Sequence, residues 1–366
     1  MSTTRCVRRV LVRSLAIPIA LCAALLASSC ALNERPVDPS TDSGVRGTLN
    51  GMGASSMSVA QENWIAQFQT AHARSTVIYA PEGSGAGRDA FMGGGTDFAG
   101  SDRAFSVAEN VVGAFAACAA DSSALDLPLY ISPIAIVFNV DGVSELNLTP
   151  EVLASIFAGD VSTWSDKRIA ALNPDAELPD LQVSAVHRSD DSGTTANFTG
   201  YLSAAAGSIW ESAPSGAWPF NSGEAAKGTS GVVSAVRGGV GTIGYVDASQ
   251  AGELPTARIG RGGAFEAPTP EAAALAVESS PIEEGRAQHD VVIALDAEAP
   301  GYPIVLVSYV IACERYRDAD KAELVRTYLG YVASVEGQNA AAAGAGAAPL
   351  TERLRTLVLA AIESVR

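Results

Sequence analysis

Lysine is nearly absent from this chain of 366 residues: Lys167, Lys227 and Lys321 are the only three, and arginine supplies the rest of the 24 basic side chains. Acidic residues number 40, so the formal net charge is −16. A protein that grips a nucleic-acid backbone needs clustered Lys and Arg, which this balance excludes. A small anion stays open as a ligand, because a buried site answers to nearby dipoles and a few charges while surface charge is screened over about 10 Å. Histidine is equally scarce: His72 and His289 lie outside any motif, and His187 sits beside Arg188 but faces the other way along a strand. There is no G-x-S-x-G turn, and no set of His, Cys and Asp has metal-ligand spacing. No metal and no cofactor is therefore expected, and a secreted phosphatase-type hydrolase is the weaker reading.

Long hydrophobic runs are missing too, since none after the N-terminus reads as a membrane-spanning helix, which needs roughly 20 apolar residues. Residues 15 to 27 are 13 uninterrupted apolar residues, preceded by Arg5, Arg8, Arg9 and Arg13 and followed by Ser28, Ser29 and Cys30. That is the pattern of a cleaved export signal, residues 1–29. Its end resembles a bacterial lipobox, in which the cysteine after the cut carries the lipid, although Ala27 stands where a leucine is usual and Leu26 lies one place further out. Cys30 is the expected lipidation site, and residues 30–46, with Pro36, Pro39, Ser40, Ser43 and Gly44, form a flexible linker. The mature protein is then expected as a monomer at the extracytoplasmic face of the cell membrane, tethered to the membrane by its N-terminal lipid. Losing four arginines and no acid with the leader takes the net charge from −16 to −20. Of the five cysteines, Cys6 and Cys22 leave with the leader and Cys30 is taken. Cys118 and Cys313 remain in an oxidising compartment, as one disulfide or as two buried free thiols.

What the chain does have is a stretch around which the rest is organised, His187-Arg188-Ser189-Asp190-Asp191-Ser192-Gly193-Thr194-Thr195. It lies between a strand-like segment, 181 to 186, and a helix-like run, 196 to 206. A helix leaves its first backbone N–H groups without intrahelical partners, and those donors with the positive end of the dipole favour a bound oxyanion, phosphate above all. Arg188 adds a planar fork of donors suited to tetrahedral oxyanions, Ser192 and Thr194 add hydroxyls, and Asp190 is placed to hold the fork. The plainer alternative is a helix cap at Ser192 and a surface ion pair at Arg188.

The same strand, small-residue turn and helix occurs twice earlier. Gly51, Gly53, Ser55 and Ser56 precede a helix expected over 57–71, with Val59, Trp64, Ile65 and Phe68 near one face. A strand over 75–80 leads through Gly83, Ser84, Gly85 and Gly87 into a short helix ending at Phe91, and the absence of a Walker lysine disfavours a nucleotide loop there. Asp102 ends a short apolar strand, either as a loop residue or as an acceptor aimed into a site. Residues 127–140, containing Pro128 and Pro133, read as two strands joined at a crossover. Further on, 250–300 reads as irregular, 302–313 as a buried strand, 340–348 as an Ala/Gly loop and 349–365 as a closing helix with Leu354, Leu357, Val358 and Ile362 inward. Strands alternating with helices give an α/β protein. Crossovers near 131–134 and 296–303 give two lobes joined by two strands, the layout of a hinge-closing binding protein with its ligand in the cleft.

Taken in order, Gly51-x-Gly53-Ala54, Gly83-Ser84-Gly85, Asp97-Phe98-x-x-Ser101-Asp102, Arg188-x-Asp190-x-Ser192-Gly193-Thr194 and Ile243-Gly244-Tyr245-Val246 resemble the phosphate-binding lipoproteins of high-affinity phosphate ABC transporters. The resemblance runs from about residue 47 to the C-terminus. It implies a two-lobed periplasmic-binding-protein fold of type II, each lobe a mixed sheet flanked by helices, with lobe 1 at 47–131 plus 300–366, lobe 2 at 132–299 and a two-strand hinge. It implies a receptor that encloses inorganic phosphate and delivers it to ABC permease subunits served by a cytoplasmic ATPase. Carried over by position, Ser55 stands at a ligand-binding threonine and Ser56 at an aromatic residue that contributes its backbone N–H. Ser84 supplies hydroxyl and N–H, Asp102 the acceptor carboxylate, and Arg188, Ser192, Gly193 and Thr194 the contacts of the second lobe. Ser55 keeps the hydroxyl, whereas Ser56 keeps the N–H and loses the bulk over the ligand. An ionised Asp102 accepts hydrogen bonds and cannot donate them, so it calls for a ligand oxygen that carries a proton. Phosphate has one and sulfate at neutral pH has none. A receptor of the same fold for another oxyanion, sulfate or molybdate, is the alternative.

Overall fold

The computed structural model describes residues 44–261 and 263–366. The expected export signal, Cys30 and most of the expected linker lie outside the described residues. Strand β1 (Gly47–Gly53) enters a 3-10 turn at Ser55–Met57 and helix α1 (Ser58–Ala71), then β2 (Ser75–Ala80), α2 (Ser84–Met92) and β3 (Phe98–Ser101) follow. β1 lies between β2 and β3 and is parallel to both. Next come β4 (Ala124–Asn139), β5 (Asn147–Leu148), α3 (Pro150–Ala158), α4 (Lys167–Leu172), β6 (Ser184–Arg188), α5 (Gly193–Ala205), β7 (Glu224–Ala226), α6 (Gly228–Gly238) and β8 (Thr242–Asp247). The chain continues through β9 (Arg258–Arg261), β10 (Ala264–Glu266), α7 (Pro270–Ser279), β11 (Val305–Cys313), α8 (Ala319–Ala333), α9 (Val335–Ala345) and α10 (Glu352–Ser364).

The large sheet has the order β2-β1-β3-β11-β4-β8-β6-β7, and β4 belongs to both of its halves. Residues 124–133 of β4 pair antiparallel with β11, and residues 134–139 pair antiparallel with β8. β8, β6 and β7 are mutually parallel, so each half is a mixed sheet. The two strands expected over 127–140 are thus one continuous strand of 16 residues. Pro128 and Pro133 fit because each sits where the ladder gives way. Pro128 faces Tyr309 beside a register shift, and Pro133 is the last residue paired with β11 before β8 takes over at Ile134. A missing N–H at such points costs the sheet little. The returning chain runs alongside: the Ile134 N–H donates to Ile304 O at 2.8 Å, and the Tyr302 hydroxyl donates to Ile134 O at 2.8 Å.

Three other expectations change. Residues 340–348 read as a loop in the sequence, yet α9 runs through most of them. Alanine is the best helix former, Ser334 caps the start through Gly337 N–H at 3.0 Å, and left-handed Gly346 ends the helix. The helix is held against α1, where the Trp64 indole donates to Gly337 O at 2.7 Å. Residues 250–300 contain β9, β10 and α7. Leu357 is 41% exposed while Leu354, Val358 and Ile362 are buried, because Ala361 fills that side of the stripe. Cys118 and Cys313 form a disulfide that ties the end of β11 to the segment before β4. Among the described residues no helix is long and apolar enough to cross a membrane.

Candidate functional site

The carboxyl ends of β1, β2 and β3 face those of β6, β7 and β8 across a crevice, the place where open α/β sheets bind ligands. β1 ends at Gly53, with φ +147°, where a Cβ would lie 1.9 Å from Gly100 O. Glycine therefore lets the chain bend there, the Ala54 N–H donate to Gly100 O at 2.8 Å, and the Ser55–Met57 turn point into the crevice. β2 leads through Gly83 to Ser84 at the start of α2, and β3 delivers Asp102.

Asp102 is buried at the centre. Its Oδ1 accepts from the hydroxyls of Ser56 at 2.6 Å and Ser308 at 2.8 Å, and its Oδ2 accepts from Thr194 Oγ1 at 2.7 Å. Its N–H donates to Ser84 Oγ at 3.1 Å. Opposite, Ser192 caps α5 by accepting from the Thr195 N–H at 3.2 Å. The helix begins at Gly193, earlier than the expected 196, and a Cβ on Gly193 would lie 2.6 Å from the Cβ of Asp102 and 2.7 Å from Ser84 Oγ. The missing side chain is what allows the helix start to close onto Asp102. Asn197, one turn on, donates to Gly193 O at 2.9 Å and to Asp102 O at 2.5 Å.

Arg188 is 3% exposed at the end of β6. Its Nε donates to Asp190 Oδ1 at 2.8 Å and its Nη2 to Oδ2, a bidentate clamp that fixes the guanidinium plane. Asp190 Oδ1 also accepts from the Gly228 N–H at 3.0 Å. The Arg188 N–H donates to the Tyr245 hydroxyl at 3.2 Å, which lies 2.7 Å from Thr195 Oγ1. Ser55 reaches α6: its Oγ accepts from the Thr229 N–H at 3.1 Å and lies 3.1 Å from Thr229 Oγ1. Gln250 donates to Ser55 O at 2.8 Å and Ser56 O at 3.1 Å. Exposed ion pairs flank the crevice, Lys227 with Glu82 at 2.8 Å and Arg103 with Asp191 at 2.9 Å.

Burial pushes the Asp102 carboxyl above its ordinary range, opposed by the hydroxyls of Ser56, Thr194 and Ser308 and by the charge of Arg188. For Asp190, burial also pushes up, but the Arg188 guanidinium and the Gly228 N–H outweigh it and hold the carboxyl below its ordinary value. Burial drives the Tyr245 phenol up to about 12, so it stays a neutral hydrogen-bonding group. His187 turns away from the cleft and stacks on Trp218 with ring centroids 4.8 Å apart. Among the described residues no cluster of His, Cys, Asp and Glu has the arrangement of a metal site.

Ser55, Ser56, Ser84, Asp102, Arg188, Ser192, Gly193 and Thr194 therefore lie in one place. Ser56 differs from expectation: its hydroxyl is engaged, and its partner is Asp102. Sequence reasoning did not find Ser308, Asn197, Thr229, Tyr245 and Gln250 as parts of the site. The signal for Ser308 was a lone polar residue inside the apolar run of β11, and for Thr229 a hydroxyl after a glycine at a helix start.

A family model for the PBP superfamily domain matches residues 38–336. The phosphate-binding protein PstS 3 of Mycobacterium leprae is 36% identical over 298 residues, which cover 78% of this chain and 79% of that one. The chain belongs to the PstS phosphate-binding proteins of the PBP superfamily. The PstS of Methanocaldococcus jannaschii is 32% identical over 327 residues, 83% of each chain. A solved high-affinity periplasmic phosphate-binding protein, bound with phosphate at pH 8.5, superposes with a TM-score of 0.67 at 22% identity, covering 86% of this chain and 93% of its own. That likeness fixes the two-lobed fold for this PstS chain.

Proposed function

We propose that this PstS-family protein is an extracytoplasmic receptor for inorganic phosphate that closes its lobes over the anion and delivers it to the permease subunits of an ABC importer. The observation that carries the reading is the state of Asp102. An ionised carboxylate has about four lone-pair sites, and hydroxyls fill two on Oδ1 and one on Oδ2. One acceptor site is left on Oδ2, the oxygen that Thr194 of α5 meets, and it calls for a ligand oxygen with a proton. Phosphate brings one at neutral pH; sulfate brings a bare acceptor and a like charge. Donors for the remaining oxygens come from Arg188, the hydroxyls of Ser55, Ser84 and Ser192, and the N–H groups at Ser56, Gly193 and Thr194. The names and bound ligand of its relatives support the same choice.

In this reading lobe 1 is 47–131 with 300–366, lobe 2 is 132–299, and the bend lies where β4 passes from β11 to β8. A lipid on Cys30 holds a monomeric body at the outer face of the membrane. Its task is binding, and no group in the cleft is assigned a catalytic step.

The test is Asp102→Asn titrated with phosphate and with sulfate at pH 7. An amide can donate through Nδ2, so the preference for phosphate over sulfate should fall by at least tenfold, about 1.4 kcal/mol. An unchanged preference in the folded variant would remove Asp102, and with it the argument for phosphate.

A further inference from the structure

The three hydroxyls on Asp102 are not equivalent. Ser56 and Ser308 both end on Oδ1, and both come from the half of the sheet that carries Asp102 itself. Ser308 is on β11 one place beyond the Tyr309–Ser101 pair, so the antiparallel register sets it against Asp102, the residue after β3. Thr194 arrives from the opposite side and ends on Oδ2. Oδ1 is thus filled by the half that carries it, whatever the other half does, and Oδ2 is the oxygen turned toward the cleft. We infer that Ser56 and Ser308 are positioning residues for anion selection: by filling Oδ1 they keep Asp102 a pure acceptor and make Oδ2 the atom offered to the ligand, and so set the pH below which the site stops telling a protonated anion from an unprotonated one.

The inference rests on the receptor reading above and adds to it the residues that control its selectivity. A carboxylate buried without donors takes up a proton, because burial disfavours its charge. Protonated Asp102 would donate, and an anion with no proton would then be accepted. The groups that face Asp102 do not supply enough compensation without the serines. Arg188, on β6, attracts its charge but is already clamped by Asp190. Tyr79, on β2, is kept neutral by burial and by the charge of Asp102, and its hydroxyl donates to Ala54 O at 2.9 Å. Arg103, the next residue, is turned to Asp191. What remains is hydroxyl donation, and two of the three donors are Ser56 and Ser308.

The test is the ratio of phosphate to sulfate affinity, measured by calorimetry from pH 4.5 to 8.5 on the mature protein, on Ser308→Ala, on Ser56→Ala and on Ser308→Thr. In the wild type the ratio should be high at neutral pH and collapse at low pH with one midpoint. Each alanine variant should raise that midpoint by about one pH unit, and Ser308→Thr, which keeps the hydroxyl, should restore it. If Ser308→Ala does not fold, Ser56→Ala alone decides, since its side chain is in a turn and not in the sheet. Alanine variants with weaker binding at every pH but the wild-type midpoint would overturn the inference and leave the receptor reading standing. A wild type that binds no phosphate would overturn both.

Discussion

Asp247 is the second buried carboxyl near the cleft. It ends β8 and caps the turn that carries Gln250, accepting through Oδ1 from the Ser249 N–H at 2.9 Å and the Tyr130 hydroxyl at 2.9 Å. Burial pushes it up to about 7, against the pull of those donors. Its folded value lies above an unfolded value of about 3.9, so the fold favours the neutral form. That contribution is complete below about pH 4 and is lost as pH rises through about 7. Asp247→Asn keeps the Oδ1 acceptor and removes the titration. The thermal midpoint of the variant minus that of the wild type should therefore climb by a few degrees between pH 5 and pH 8, since moving a carboxyl's titration by one pH unit on folding is worth about 1.4 kcal/mol. A difference that does not change with pH, followed by circular dichroism, would mean that Asp247 ionises as an ordinary aspartate. Single residues such as this one show what a sequence reveals and conceals. Arg188, Ser192 and Asp190 were legible because they are neighbours whose spacing already describes a clamp and a cap. Ser308 was not, because the carboxylate it serves is 206 positions away and only the β3–β11 register brings them together.

The start of α5 is the element on which closure depends. Helix geometry aims its first N–H groups into the crevice, and Gly193 lets them come against Asp102 and Ser84. Gly193→Ala gains little from helix propensity, because Gly193 is the first helical residue and not an interior one. It should cost at least tenfold in phosphate affinity, as the new methyl meets side chains at 2.6 and 2.7 Å. Undiminished affinity together with a raised unfolding midpoint would show that this approach is not part of the closed site. Elements whose signals are local were legible for the same reason that this one is: glycine and hydroxyl residues between a strand and a helix mark 53–56, 83–85 and 188–194. β4 was not, because its prolines are tolerated only through the positions of β11 and β8, which lie more than 100 residues further along the chain. Nor was α9, because the glycines among its alanines read as a loop although alanine favours a helix, which Trp64 of α1 helps to hold.

The acidic balance of the whole chain, −16, would repel an anion if surface charge governed binding. The cleft answers this by burying its own donors and by placing Arg188 where solvent screening is weak. The exposed pairs Lys227–Glu82 and Arg103–Asp191 contribute little, because solvent screens them. Closure must then be driven mainly by the anion and the buried groups around it, which couples ligand identity to the shape of the molecule. The two halves meet along β4, which passes from β11 to β8 at Pro133–Ile134 with the returning chain at Tyr302–Ile304 beside it. The most direct check is isothermal titration of phosphate-stripped protein, residues 31–366, with phosphate and then with sulfate at pH 7. Tight, saturable phosphate binding with sulfate silent is the predicted result. Folded, stripped protein that gives no heat with phosphate, or binds sulfate equally well, would contradict the account.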